Sequence, residues 1–549
     1  MSQQLEKSAP GALDTPAPTN IEQHHEEFVK PGADVDLPIT SAYAGWSRNA
    51  TIKKFWRLYA TGILVAIAAM YIGYANSVIG SVIANKGFID QFATVIDRET
   101  GEPALDAMHI SLWSAIWNIT QVFVQIASPM IADKWGRKIN MWIFTFFLCL
   151  SIIIAAVSKD WTHLVGSRVC AGVASGLIST SIMTYLSEIA MPQFRGTLLS
   201  AFSFFYALGQ AFLAIALKIL NDTNPMAFRN LFYSEFIFAG LWMFPMVYLP
   251  ESPAWLAGQG RHDEAKKSLR RLVGNVEGYD VDLEYSVVRD EVEKSQESQN
   301  AGSENSWKAM LRPLNMKRTI IAALPFTYQN FVGTPLIFGY TTYFFQLAKM
   351  KDPFLGNMII QLILLVGIIC SLYWVDQAGR RILCIGGGFL MGVLTFIIGG
   401  LGWVEDSAAS GAALISLCSI WVFVYANSLA PIGWVSLVEV STPHLRAKTA
   451  AIASVIQSLS GVLFSYTVPL LLSNQGADLG EKTGLFFGGL SWLYLIPVIF
   501  LFPEVKGRTY QEIDELFERR IKPWNFAKTK TAYEAGLEVR QENEEAGRA

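Results

Sequence analysis

Polar and apolar residues divide this chain into long blocks. Residues 1–50 are polar, rich in Pro, Gln, Glu and Ala, and hold no apolar signal-peptide core, so they read as a disordered tail. Six apolar runs follow, near 58–84, 110–132, 139–157, 164–187, 198–220 and 231–249. A charged segment, 251–318, interrupts them before six more near 319–347, 356–374, 383–402, 412–439, 450–472 and 484–503. Each run approaches the roughly 20 residues with which an α-helix crosses a bilayer. The pattern predicts an all-α membrane protein of twelve transmembrane helices in two six-helix repeats. Its expected parts are a tail 1–50, a first half 51–250, a linker 251–318, a second half 319–503 and a tail 504–549. Within the linker, His262 to Leu272 sets Ala265, Leu269 and Leu272 on one helical face with acids preceding bases, which predicts short linker helices. Gln296 to Ser306 is polar and reads as flexible.

One apolar run differs from the rest. Pro325 to Phe345 reads as a membrane-length helix, yet it carries Thr327, Gln329, Asn330, Thr334, Pro335 and two glycines, Gly333 and Gly339. Amides are costly in hydrocarbon unless hydrogen-bonded, so this helix should face a polar cavity or another helix. Neutral donors and acceptors beside aromatic rings suit an uncharged polyhydroxylated ligand. They also suit plain stapling of neighbouring helices.

Composition supports the membrane reading: 52% of residues are hydrophobic and 16% charged, against about 25% charged in soluble proteins. The net charge of −3 sits in loops and tails, with no basic face for nucleic acid. The five cysteines fall in apolar runs without ligand spacing, so neither a disulfide framework nor a metal site is expected. Lys53, Lys54, Arg57, Lys134, Arg137, Lys138, Arg195, Arg380, Arg381, Arg446 and Lys448 fall in loops on one side. By the positive-inside rule both termini and the linker are expected to be cytoplasmic. The Asn221-Asp222-Thr223 sequon would then lie outside.

The two halves echo each other. Asp133-Lys-Trp-Gly-Arg137-Lys138 recurs as Asp376-Gln-Ala-Gly-Arg380-Arg381, and Glu188, Pro192 and Arg195 recur as Glu439, Pro443 and Arg446. Pro250-Glu251 recurs as Pro503-Glu504. Three echoes at corresponding places indicate duplication, as in transporters built from parallel repeats. Carboxylates and guanidiniums at these helix ends can form charge-assisted networks within each half. Asp133, Arg137, Glu188, Arg195, Glu251, Asp376, Arg380, Glu439 and Arg446 are the candidates for a conformational role. No phosphate-cradling glycine loop or nucleophile motif is present, so neither enzymatic chemistry nor primary active transport is expected.

These motifs, with Arg168, Pro250-Glu-Ser-Pro-Ala-Trp-Leu256, Gln329-Asn330 with Gly333, Pro431-Ile-Gly-Trp434 and Pro503-Glu-Val-Lys-Gly-Arg508-Thr509, resemble the sugar porter family of the major facilitator superfamily over about residues 55–522. The Gly339-Tyr340-Thr-Thr-Tyr-Phe-Phe345 run, Gly209-Gln210 and Lys482-Thr-Gly484 are similar to fungal α-glucoside permeases. The resemblance implies the major facilitator fold and a secondary carrier without cofactors. Such a carrier moves an uncharged sugar, an α-glucoside, other disaccharide or hexose, by alternating access, as a monomer in the plasma membrane. The site it implies comprises Gln329, Asn330, Trp434, Gln457, Tyr340 and Ser203, with Ser203 and Pro335 standing where the family often has amides. A second departure concerns coupling. The family's Gly-Tyr-Asp-Thr is Gly73-Tyr74-Ala75-Asn76 here, so the acid that pairs with the fourth-helix arginine is missing while Arg168 remains. Glu235 is the candidate replacement partner, either as a working proton site or as a fixed ion pair. Proton symport, uncoupled facilitation and sugar sensing with little flux all stay open.

Overall fold

The computed structural model describes residues 41–531 apart from 44–45, 97–100, 301–306, 405–406, 442–444, 507 and 509. Of the tail expected to be disordered over 1–50, residues 1–40 lie outside the described residues, as do the C-terminal tail from 532 and 301–306 of the flexible stretch. The described rest is ordered, because Tyr43 is buried with its hydroxyl donating to the Gly278 carbonyl at 2.9 Å, Arg48–Lys54 is helical, and residues 296–300 continue the helix Val281–Asn300. The first six membrane helices are α1 (Trp56–Val82), α2 (Ala107–Trp135), α3 (Arg137–Val157), α4 (Trp161–Ile189), α5 (Pro192–Thr223) and α6 (Arg229–Tyr248). Three linker helices follow, Pro253–Gly258, His262–Val273 and Val281–Asn300. The second set comprises a broken α7 within 313–347, α8 (Pro353–Ala378), α9 (Arg380–Leu401), α10 (Ala409–Leu437), α11 (Arg446–Leu472) and α12 (Thr483–Leu501). Eleven of these are long and apolar enough to cross a membrane, which makes the chain a multi-pass membrane protein. The broken α7 supplies the twelfth crossing.

Local chemistry sets the helix ends. The turns between α2 and α3 and between α8 and α9 each pass through a glycine in the left-handed region, Gly136 at φ 102 and Gly379 at φ 85. Each turn opens a helix whose first N–H groups need acceptors. Glu251 accepts from Arg137 N and Lys138 N, and Glu504 accepts from Arg380 N and Arg381 N. The echo of Pro-Glu with Gly-Arg is thus one structural unit used twice, a carboxylate seated on a helix N-terminus.

The stretch expected to be one membrane-length helix over Pro325 to Phe345 is instead three pieces, Pro313–Phe331, a wide turn Pro335–Gly339 and Thr341–Leu347. Gly333 takes φ 109 and Pro335 offers no N–H, so the regular ladder stops there. The freed groups find local partners: Thr334 Oγ1 donates to the Gln329 carbonyl, and Leu336 N and Ile337 N donate to that of Gly333.

Two buried apolar clusters reveal how the halves meet. One fills the linker-side part of α1–α6, including Leu58, Met141, Ile182, Leu198 and Met246, and takes in Leu272 from the linker. The other begins at the far ends of the first set, with Val78, Phe88, Trp113, Leu217 and Phe232, and continues through Tyr340, Trp421, Phe464 and Val498. The halves share a core at the end opposite the linker and keep separate cores at the linker end. Polar ties across the halves follow suit. Lys218 pairs with Asp352 at 2.6 Å, Gln475 bonds both Leu105 O and Ala107 N at 2.9 Å, and Asn357 Nδ2 donates to Ser81. At Gly80 a Cβ would overlap the Gly339 carbonyl oxygen, so only glycine permits α1 to lie against the broken α7 there.

Candidate functional site

The break in α7 places Gln329 and Asn330 at the meeting point of α7, α10 and α11. Gln329 donates from Nε2 to the Leu429 carbonyl at 3.1 Å and accepts from the Tyr425 hydroxyl at 2.9 Å. Asn330 Nδ2 donates to the Gln457 carbonyl at 2.8 Å and to Ser460 Oγ at 2.7 Å. Both amides are buried and act as staples here, while Gln329 keeps one N–H and a lone pair. Tyr340 is also engaged, its hydroxyl donating to the Ser465 carbonyl at 2.8 Å. Gln457 presents a half-buried side chain with no hydrogen bond to another described residue. Trp434 is 44% exposed and meets Phe326 edge-to-face at 4.6 Å, and it is the exposed residue among those described in Leu429–Glu439. An amide cluster with one accessible indole can pack on the C–H face of a neutral ring and bond its hydroxyls.

On the first half, Ser203 is half-buried and unbonded to other described residues. Three neighbours were not singled out as site residues from the sequence. Asn118 on α2 donates to Ser465 Oγ at 2.9 Å, across the halves. It converges with Asn330 on Gly461, where a Cβ would meet both side chains at 3.4 and 3.8 Å. Asn76 on α1 donates to the Tyr206 hydroxyl at 2.9 Å. The sequence carries the signal, since an amide within an apolar run is as costly at Asn76 and Asn118 as it is in α7.

Arg168 is buried at the heart of the first half. Its Nη1 donates to the Ala75 carbonyl at 3.1 Å and its guanidinium lies 5.4 Å from the Trp117 ring centre. Glu235 is buried and within electrostatic reach, yet the two form no direct ion pair among the described residues, and Arg168 Nε and Glu235 Oε1 lack hydrogen-bond partners. The Ala75 carbonyl is the arginine's anchor.

At the linker end, Arg137 bonds Glu188 at 2.8 Å and Asp133 at 2.9 Å, and Arg380 bonds Glu439 at 3.1 Å. Both networks lie within a half. Among the described residues Arg195 reaches the Ala190 carbonyl, at 3.5 Å, and its buried Nε has no partner. The side chains of Asp376 and Arg446, and Pro443, lie outside the described residues. Among the described residues no group of three or more His, Cys, Asp and Glu could hold a metal ion.

Comparison with known proteins places this geometry. The sequence model of the family described as "Sugar (and other) transporter" matches residues 61–517. The chain is 26% identical over 502 residues to the MFS transporter fmqE of Aspergillus fumigatus, covering 89% of this chain and 91% of that one. It is 28% identical over 487 residues to the general alpha-glucoside permease of Saccharomyces cerevisiae, covering 87% and 78%. Among solved structures, the partially occluded inward-open xylose transporter XylE of E. coli superposes with a TM-score of 0.68 at 21% identity, over 83% of this chain and 100% of that one.

Proposed function

The chain belongs to the sugar (and other) transporter family, with the major facilitator fold of two six-helix repeats, and from that premise we propose that it is a secondary carrier moving an uncharged sugar by alternating access. The observation that carries this is the family match over residues 61–517, which takes in both six-helix sets. Similarity to a general alpha-glucoside permease and to a high-affinity glucose transporter favours an α-glucoside or other disaccharide, or a hexose. We place the sugar against Gln329, Asn330, Gln457, Trp434, Tyr340 and Ser203, where neutral amides, hydroxyls and one accessible ring converge between the halves. The conformation fits a carrier closed at one face, with a shared core and cross-half bonds at the far end. With termini and linker in the cytoplasm and the protein in the plasma membrane, that closed face is the outer one. The paired networks of Arg137 and Arg380 keep each half rigid as it rocks.

Coupling is proposed to run through Glu235, a buried carboxyl beside a guanidinium that does not close on it. Uncoupled facilitation is the second reading, favoured by Ala75 in the place of the family's acid and by the anchoring of Arg168 on its carbonyl. Glu235→Gln separates them. In intact cells loaded with labelled maltose or glucose, a symporter loses uphill accumulation in the variant while keeping exchange, and a protonophore has the same effect on wild type. Accumulation that survives both treatments overturns coupling through Glu235, and wild type that never accumulates favours facilitation.

A further inference from the structure

From Ala68 to Val82 every residue is buried except Asn76. A helix enclosed on its other positions by protein has no lipid face, so its exposed amide opens onto the space between the halves. Its bond to Tyr206 is not needed to fasten α1 to α5. Those helices already touch backbone to backbone at two glycines: a Cβ at Gly73 would overlap the Tyr206 carbonyl oxygen, and one at Gly209 the Met70 carbonyl oxygen. Since Asn76 Nδ2 donates to the Tyr206 oxygen, Asn76 Oδ1 and the Tyr206 O–H have no other partner among the described residues. An acceptor and a donor therefore sit side by side at the wall. Ser203 lies one helical turn from Tyr206, and Tyr206 is within electrostatic reach of Tyr425, whose hydroxyl bonds Gln329. The pair thus faces the amides of the second half.

We propose that Asn76 and Tyr206 form the first half's sugar contact, reading two adjacent hydroxyls: one donates to Asn76 Oδ1, and its neighbour accepts from the Tyr206 O–H. This rests on the sugar-carrier reading and assigns it a contact from the half that the family pattern supplies only through Ser203. A neutral diol is the chemistry it takes, since neither group carries charge. Because Asn76 sits next to Ala75, whose carbonyl holds Arg168, the diol contact lies one residue from the buried arginine.

The test is equilibrium binding of D-glucose, maltose and the monodeoxy analogues of whichever binds, to purified full-length wild type, Asn76→Ala and Tyr206→Phe. Losing one such hydrogen bond is expected to weaken the parent sugar about three- to tenfold in each variant. The deciding readout is non-additivity. In wild type, removal of either of two adjacent hydroxyls carries a penalty, and that penalty disappears for one hydroxyl in Asn76→Ala and for its neighbour in Tyr206→Phe. Unchanged parent affinity in both variants, or deoxy penalties equal to wild type in either, overturns the diol contact while leaving the carrier reading intact. Wild type that binds none of these sugars overturns the carrier reading itself. Tyr206→Phe keeps the ring and its packing, so it decides the matter alone should Asn76→Ala not fold.

Discussion

With the linker cytoplasmic as proposed, neutralising Asp352 should loosen the outer closure without dissolving it. Lys218, near the end of α5, reaches Asp352 Oδ2 at 2.6 Å across the halves and Asp222 Oδ1 at 2.7 Å within its own helix. Asp352 also caps α8, accepting from Leu355 N at 2.9 Å. Asparagine preserves that cap and Asp222 keeps Lys218 paired, so Asp352→Asn removes little beyond the cross-half charge pair. With side chains 18% and 31% exposed, the pair belongs in the upper part of the range for surface ion pairs, about 0.7 kcal/mol. That converts to an approximately threefold fall in the ratio of outer-closed to outer-open protein. Spin labels at the exposed Thr223 and Lys351 would read the two populations as short and long distances. The pH dependence has a fixed sign. Burial pushes the Asp352 carboxyl up, but hydrogen bonds from Lys218 and Leu355 N and the lysine charge pull it further down, below the ordinary aspartate range. A depressed value in the closed state means that closure is fully supported above the ordinary range and weakens as pH falls through the lowered one. Wild type should therefore hold its ratio from neutral to mildly acid pH and open only in strong acid, and Asp352→Asn should flatten that acid limb. A ratio unmoved by the substitution, or shifted toward closure, refutes the latch.

Gln329→Ala and Trp434→Ala should each weaken sugar binding a few-fold to tenfold, the worth of about 0.5–1.5 kcal/mol, with normal membrane insertion. Unchanged affinity in both folded variants, measured by isothermal titration, would move the site elsewhere. Gly333→Ala forces a Cβ onto φ 109 with Phe487 at an ordinary 3.5 Å, so its cost is backbone strain of about 1–3 kcal/mol. A lowered melting temperature in detergent checks this, and an unchanged one would mean the break in α7 does not depend on that glycine.

The membrane spans were legible because each is a run of apolar residues of bilayer length, and no tertiary contact is needed to read that. The repeated Asp-x-x-Gly-Arg turns were legible as sequence, but not their use of Glu251 and Glu504, since a carboxylate far along the chain reaches the helix start only in the folded half. The break in α7 was signalled by Gly333 and Pro335, yet hydropathy averages across three residues and read the segment as continuous. Gln329 and Asn330 drew notice as costly amides, whereas their present partners, the Leu429 and Gln457 carbonyls, are backbone groups with no sequence signature. Glu235 was the expected partner of Arg168, but sequence does not specify how side chains are turned about their helices, and the guanidinium turns to the Ala75 carbonyl and Trp117 instead.

A carrier takes sugar through the membrane and does more than bind it. Purified protein in liposomes preloaded with unlabelled maltose or glucose, and diluted into the same sugar labelled, isolates that step from metabolism and from any ion gradient. The expected result is saturable counterflow, transient accumulation of label driven by the outgoing sugar, with the label reaching the lumen faster than in protein-free liposomes. Sugar binding of normal affinity with no counterflow would contradict it and mark the protein as a sensor built on a carrier fold.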